Sequence, residues 1–355
     1  MTRTRPSDVG CWLSSDERLS LRGPGVMLPT RRQILRLTGV LGALAAPMAT
    51  LRAQGRGWPS KPIHIIVPGG AGGVTDIRAR WLGERLGPAL GQPIVVENRS
   101  GAGGNVGTVA GARSAPDGYT LVIIHIGTMA INPHLYASPG YDPLTDLIPI
   151  TRVGVGPQVL AVHKGVPANS VAELLALARA KPSQLTYASP GVGTPGHLAS
   201  SMLLHLTGTK ATHVPYKGGG QAVVDVVAGH VTWTIDSLTI LKPFVDDGRL
   251  RPLAVTSAQR LKAMPELPTM AEAGVPGYEL TAWAGLAAPA GTPNPIIKQL
   301  YAAIAPILAS SEARQWFASF GVEPGGEPPD VFAALVRTEY ARLGEVIRAA
   351  GIKIE

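Results

Sequence analysis

The chain has 355 residues, 45% of them hydrophobic and 16% charged, with a formal net charge of +8. That length holds two ordinary α/β domains or one large one, and apolar runs recurring along the whole chain exclude a disordered low-complexity protein. Residues 1–53 carry eight arginines against three acids and leave 24 basic against 21 acidic groups behind them, so the basic excess sits mostly at the N-terminus and a nucleic-acid-binding protein is set aside.

The N-terminal segment has the pattern of an export leader. Residues 37–51 form an uncharged apolar run behind Arg31, Arg32 and Arg36, too short and too rich in Ala and Gly to span a bilayer. Thr30-Arg31-Arg32-Gln33-Ile34-Leu35-Arg36 resembles the twin-arginine export pattern; a general secretory signal with chance paired arginines is the alternative, and either route leads out of the cytoplasm. Met27 is the better start residue, and cleavage is expected between Ala49 and Gly55, placing the mature protein in the periplasm. Cys11, the single cysteine, lies in this leader, so the mature chain has no disulfide, no thiolate metal site and no lipid-accepting cysteine.

From Trp58 onward short β-branched runs alternate with helical patterns. Strands are expected at residues 63–67, 94–97, 119–125, 159–163, 185–188, 212–214, 231–235, 253–256 and 286–288. Between them, Ile77, Trp81, Leu82, Leu86 and Leu90 share one helix face, Ser170 and Glu173 form a capping box, and Phe332, Val336, Tyr340, Leu343 and Ile347 line a last helix stopping at Gly351. This alternation predicts an α/β protein of mostly parallel sheets with helices on both faces. Boundaries are expected near Gly154-Val-Gly-Pro157 and near residues 282–285. They would make a discontinuous first lobe of 56–156 plus 282–355, a second lobe of 157–281, and a cleft between.

Gly-rich turns sit where strands hand over to helices. Pro68-Gly-Gly-Ala-Gly-Gly-Val-Thr75-Asp76 exposes backbone N–H groups at a helix start, an arrangement that attracts anions, unless Thr75 or Asp76 merely caps the helix. Ser100-Gly-Ala-Gly-Gly-Asn105-Val-Gly107 has the wrong spacing for a dinucleotide fingerprint and no acid at the ribose position. In Ser189-Pro-Gly-Val-Gly-Thr194-Pro-Gly-His197 the hydroxyls of Ser189 and Thr194, with nearby amides, could hold a carboxylate. In Val214-Pro-Tyr216-Lys217-Gly, Tyr216 could donate a hydrogen bond and Lys217 either charges the cleft or lies solvated. Asp236 either recognises an amino or hydroxyl group on a ligand or caps the next turn. Ser189, His197 and Asp236 together invite a secreted-hydrolase reading, against which stand the missing G-x-S-x-G elbow and Pro190, which lacks the amide an oxyanion hole uses. The eight histidines lie singly and predict no metal site, and no cofactor motif is present.

Taken in order, Trp58-Pro-Ser-Lys-Pro-Ile63, Gly72-Gly-Val-Thr-Asp76, Val96-Glu-Asn-Arg99, Gly101-Ala-Gly-Gly-Asn-Val-Gly107, Ala115-Pro-Asp-Gly-Tyr-Thr-Leu121, Ile131-Asn-Pro133, Val214-Pro-Tyr-Lys-Gly218, Leu253-Ala-Val-Thr256 and Ala288-Pro-Ala-Gly-Thr-Pro293 resemble the substrate receptors of tripartite tricarboxylate transporters, the Bug-type solute-binding proteins. The resemblance implies a type II periplasmic binding fold, two Rossmann-like lobes closing over one small carboxylate (a di- or tricarboxylate, amino acid or aromatic acid). It implies a monomer without catalysis or cofactor, serving a membrane permease or a sensor. Carried onto this chain, it implies ligand contacts from Gly72, Gly73, Thr75 and Asp76, from Gly127 and Thr128, from Ser189, Gly193, Thr194 and His197, from Tyr216 and Lys217, and from Asp236. The family's usual Pro-Phe at the first turn is Pro68-Gly69 here, which removes an apolar wall from the site.

Overall fold

A computed structural model describes residues 57–182 and 184–349. The expected leader, its cleavage region and the helix stop at Gly351 fall outside these residues. Strand β1 (Ile63–Val67) is a β-branched run buried almost throughout. Helix α1 (Val74–Leu90), strand β2 (Ile94–Asn98), helix α2 (Asn105–Ala112) and strand β3 (Thr120–His125) follow. Both β2 and β3 pair with β1 in parallel, so the carboxyl ends of these strands and the starts of the helices lie on one edge. A π turn at Gly127–Ile131 and the short helix α3 (Asn132–Leu135) lead into β4 (Leu147–His163), the longest strand.

A second parallel unit comes next: α4 (Val171–Ala180), β5 (Thr186–Ser189), α5 (Pro195–Thr207), β6 (Thr212–Pro215), α6 (Gly219–Val227), β7 (Trp233–Ser237), α7 (Leu238–Asp246) and β8 (Leu250–Val255). Here β5 pairs in parallel with β6 and β7. The chain returns along β9 (Thr281–Pro289) and closes with α8 (Asn294–Ala309), α9 (Ser311–Ala318), the two-residue strand β10 (Glu323–Pro324) and α10 (Pro329–Ala349). Half of the expected capping box forms: Ser170 Oγ accepts from the Glu173 amide, whereas the Glu173 carboxylate accepts from the amide of Asn169, one residue before the cap, and not from that of Ser170.

One expectation is corrected. The sheet is mixed: its order is β2-β1-β3-β9-β4-β7-β5-β6, and β9 and β4 join the two parallel units through antiparallel ladders. The expected boundary stretches lie in the middle of this ladder, where Gly154 faces Ala284, Val155 faces Trp283 and Gly156 faces Ala282. The glycines there serve close approach rather than chain reversal. A Cβ on Gly154 would lie 2.8 Å from the Phe317 ring, and one on Gly285 would run into Phe332.

The halves on either side of the ladder have their own cores. Trp81 of α1 stacks on Trp316, with ring centroids 5.0 Å apart, and meets the edge of Phe317 at 5.3 Å; all three belong to the core around β1, β3 and β9. Val159, Val223, Val226, Leu238, Leu241 and Val255 make the core between β4, β8, α6 and α7. A third cluster continues across both halves and includes Val122, Leu160, Trp233, Trp283 and Phe332. Of the expected α10 face, Phe332, Val336, Leu343 and Ile347 are buried there, whereas the Tyr340 ring packs on His134 at 4.4 Å.

Phe332 meets Trp283 edge-on at 5.5 Å and is 1% exposed, so it supports the centre of the ladder from behind. Phe332→Ala is expected to cost about 3–5 kcal/mol of stability, the range for a buried aromatic cut to alanine. Urea unfolding checks this, and a loss under about 1 kcal/mol would show that the ring is not a support.

Candidate functional site

A cavity of about 380 Å³ opens along the edge where the strands of both halves end. Pro68, Gly69, Gly70 and Gly73 after β1, residues 100–104 after β2, residues 190–192 and 194–196 after β5 and residues 215–219 after β6 line it, each turn leading into a helix. These four helices, α1, α2, α5 and α6, start at Gly73, Gly104, Thr194 and Gly218, and no side chain caps any of them. Elsewhere Ser170 and Ser310 cap α4 and α9 while α8 begins uncapped at Pro293, and on the cavity wall Ser237 caps α7. A helix start leaves backbone N–H groups without intrahelical partners and carries partial positive charge. Four such starts on one cavity make a site for an anion's acceptor oxygens.

The turns from the two halves touch through glycine backbone. A Cβ on Gly70 would lie 2.8 Å from the Lys217 carbonyl, and one on Gly218 would lie 3.0 Å from both N and Cα of Gly70. Gly103 and Val192 meet in the same way. The Tyr136 hydroxyl donates to the Val192 carbonyl at 3.1 Å, and Val74 and Ile77 of α1 pack on the core of the opposite half. The cleft is thus closed, and its lips are glycines because no side chain fits between them.

Inside, the walls carry charge. Arg78, one helical turn beyond Val74 and Thr75, is buried, and its Nε has no hydrogen-bond partner. Burial lowers its pKa to about 10, against the attraction of Asp236, which raises it. Asp236 ends β7 from the other half. Its Oδ1 accepts from the Ser237 amide at 2.7 Å while Oδ2 has no partner. Burial pushes its carboxyl up to about 7, with the Ser237 amide and Arg78 pulling the other way. Among the described residues no ion pair within 4 Å joins Arg78 and Asp236. His125, also on the wall, is lowered to about 4 by burial; its Nδ1 accepts from the Gly127 amide at 3.0 Å, so the ring is neutral.

Of the expected contacts, Gly73, Thr75, Thr194, Tyr216, Lys217 and Asp236 line this cavity; Gly72, Asp76, Gly127, Thr128, Ser189, Gly193 and His197 do not. The second group builds the turns from behind. Asp76 accepts from the Gly72 amide at 2.9 Å and from Arg80 at 2.9 Å. Burial opposes its ionisation, but the bonds from Arg80 and Gly72 outweigh that and hold the carboxyl below its ordinary value. Thr128 exchanges hydrogen bonds with the His125 backbone. His197 Nδ1 accepts from the Gly193 amide at 3.3 Å, so that amide is spent within its own turn. Tyr216 presents its ring, but its hydroxyl donates to Asp225 at 2.5 Å, and Lys217 sits exposed on the rim.

The hydrolase triad does not form. Ser189 Oγ lies 2.7 Å from His213 Nε2 rather than against His197, it is fully buried, and Asp236 bonds to neither histidine.

Arg78, Gln158 and Trp283 are wall residues that the sequence reading passed over. Helical spacing held the signal for Arg78, since positions 74, 75 and 78 share one face. Gln158 and Trp283 lay at or inside the stretches read as boundaries, which concealed them.

Two α/β halves joined by paired crossing strands, closed over a cavity rimmed by helix starts, define the type II periplasmic binding fold, a two-lobed solute-binding protein. The chain belongs to the tripartite tricarboxylate transporter receptor family, whose model matches residues 78–352. It is 36% identical over 324 residues to protein BugT of Bordetella pertussis, covering 91% of this chain and 99% of that protein. Two solved structures superpose with a TM-score of 0.81. One is Rpa4515 of R. palustris with adipate, 40% identical, covering 83% of this chain and 99% of that one. The other is the periplasmic binding protein BugD, 34% identical, covering 84% and 100%. No helix of the described residues is long and apolar enough to cross a membrane.

Closure through glycine lips makes Gly70→Ala an informative variant. The added methyl is expected to cost about 1–3 kcal/mol in the closed state, a roughly five- to 150-fold loss of ligand affinity, with little change in the melting temperature of the ligand-free protein. Calorimetric titration of a ligand checks this, and wild-type affinity would mean that the lips do not meet in the bound state.

Acid sensitivity follows from the buried imidazoles. Burial lowers His125, His197 and His213 to about 4 from 6.5, with His197 adding to the effect on His213. The unfolded chain therefore binds more protons between these values, so the stability they contribute is complete above 6.5 and is lost as pH falls towards 4. Asp236, raised to about 7, acts oppositely and loses stability as pH rises from 3.8 to 7. Three groups outweigh one: the melting temperature is expected to fall from pH 6.5 to 4.5, and His213→Gln to make that slope shallower. A flat profile over this window would refute it.

Proposed function

We propose that this protein captures a small carboxylate between its lobes and releases it chemically unchanged to a membrane permease or a sensor. The observation that carries the reading is the convergence of four uncapped helix starts, from both halves of the sheet, on one closed cavity. Main-chain amides of Val74 and Thr75, with the turn ending at Thr194 and the turn ending at Gly218, are the carboxylate's donors. Arg78 and Lys217 add positive field from the wall and the rim. Adipate in Rpa4515, a relative of the same fold, supports a carboxylate ligand here.

In this reading residues 56–156 with 282–355 form one lobe and 157–281 the other, and β4 and β9 bend to open the cleft. The N-terminal segment exports the chain to the periplasm and is removed there, leaving a monomer. No step of bond making is assigned to the site: Ser189 and His213, its nearest approach to a nucleophile and base, lie outside the cavity lining.

One preparation tests both parts. The full chain expressed in a Gram-negative host is expected in the periplasmic fraction, with a mass showing cleavage between Ala49 and Gly55. The mature protein is then melted against a panel of mono-, di- and tricarboxylates and amino acids. A ligand that binds only the folded form stabilises it by about 2.7 kcal/mol at a hundred times its Kd, so a true ligand should move the midpoint by several degrees. If no carboxylate shifts it at millimolar concentration, the capture reading is wrong; an uncut chain in the cytoplasm would remove the export reading.

A further inference from the structure

The lip of the second half carries three consecutive glycines, Gly218, Gly219 and Gly220. Its backbone abuts the first half directly. A Cβ on Gly220 would lie 3.2 Å from the Ala71 carbonyl, and the Lys217 carbonyl and Gly218 meet Gly70. Glycine has more backbone freedom than any other residue, so the place of such a lip has to be fixed from outside the glycine run. On the β6 side that task falls to Tyr216. Its amide donates to the Ser189 carbonyl at 3.0 Å, and its hydroxyl donates to Asp225 Oδ2 at 2.5 Å.

Asp225 lies outside the cavity lining, in the last turn of α6. Its backbone is pinned just ahead of β7, where its carbonyl accepts from the His230 amide at 3.0 Å and from the Val231 amide at 3.4 Å. His230 Nδ1 lies 3.5 Å from Oδ1, the other carboxylate oxygen. A hydrogen bond to an ionised acceptor is stronger than one between neutral groups. Both partners show it: the bond from Tyr216 holds the Asp225 carboxyl below its ordinary value, and burial together with Asp225 pushes the Tyr216 hydroxyl up to about 12. The tyrosine ring lines the cavity while its far end is tied to the end of α6.

We propose that Asp225 is a positioning residue for ligand capture: through the Tyr216 hydroxyl it holds the glycine lip where it meets Gly70, and so slows ligand release. This rests on the capture reading and adds to it a residue that touches no ligand. Tyr216 and Asp225 belong to the same half, so their bond does not bridge the cleft; it keeps the lip preformed. A lip free to wander has to be ordered each time the lobes close, and that cost falls on the liganded state.

The test compares the mature wild-type protein with Tyr216→Phe, Asp225→Ala and the double variant, measuring ligand association and dissociation by stopped flow. The probe is whichever of succinate, malate, adipate, citrate and glutamate binds the wild type most tightly. Both single variants keep the ring and are expected to release the probe about two- to tenfold faster, the effect of one net hydrogen bond, with little change in association rate. The double variant is expected to match the single ones, because each removes the same bond. Asp225→Asn keeps an acceptor oxygen and is expected to recover part of the wild-type retention. Hydrogen exchange on the ligand-free protein reads the anchor itself: the amides of residues 217–220 are expected to exchange faster in both single variants, while those of β1 stay as in the wild type. Tyr216→Phe carries the test even where Asp225→Ala fails to fold. Additive effects in the double variant, or wild-type release from a folded single variant, would overturn the role of Asp225 and leave capture standing. Failure of all five acids to bind the wild type would overturn capture and this role together.

Discussion

The antiparallel ladder between β4 and β9 is the constraint on which the site depends. It runs from Leu147 beside Pro289 to Pro157 beside Thr281, and beyond it β4 continues into pairing with β7 and β8. Each parallel unit alone would present helix starts at its own strand ends. The ladder holds the two units so that those ends share one cavity. It also supplies the cavity floor, since Gln158 and Trp283 are ladder or near-ladder residues whose side chains the close pairing buries. Small residues at the crossing, Gly154, Gly156, Ala282, Ala284 and Gly285, are what allow Phe317, Val322 and Phe332 to pack against it.

Electrostatics then decide what the cavity accepts. Charges removed from water are costly unless paired. Here the cost is visible in both directions: Arg78 and Asp236 are each pushed towards their neutral forms by burial and drawn back partly by one another. The histidines nearby give up their charge entirely at neutral pH and act as acceptors for turn amides, as His125 does for Gly127 and His197 for Gly193. With the imidazoles neutral, the fixed positive elements are the helix starts and Arg78, and the polarity of the site follows from them. The same groups connect stability to the site, because protonating an acceptor imidazole removes the bond that shapes its turn.

The site residues fall into two sets with different jobs. Gly73, Thr75 and Asp236 face the cavity, while Asp76, Thr128, Ser189 and His197 stand one layer back and fix the backbone that faces it. Asp76 shows the distinction well. An aspartate at an anion site repels the ligand if it points inward; here Arg80 and the Gly72 amide hold it outward, and Asn98 ties the end of β2 to the Gly69 carbonyl of the same turn.

Local chemistry was readable from the residues alone. Alternating β-branched runs marked nearly every strand, glycine clusters marked the turns, and the ordered motifs marked the family, because backbone preference and amphipathic period act over a few neighbouring residues. Which turn residues face the ligand was not readable that way. Gly72 and Gly73 are neighbours with the same composition around them, yet one amide is spent on Asp76 and the other residue lines the cavity. Arg78 looked like one more charge on an amphipathic helix, and Trp283 like part of a linker, because burial and the lack of a partner are set by strands far away in the chain. Those quantities exist only once β4 and β9 have paired, and they are what make residues scattered along the chain into one wall.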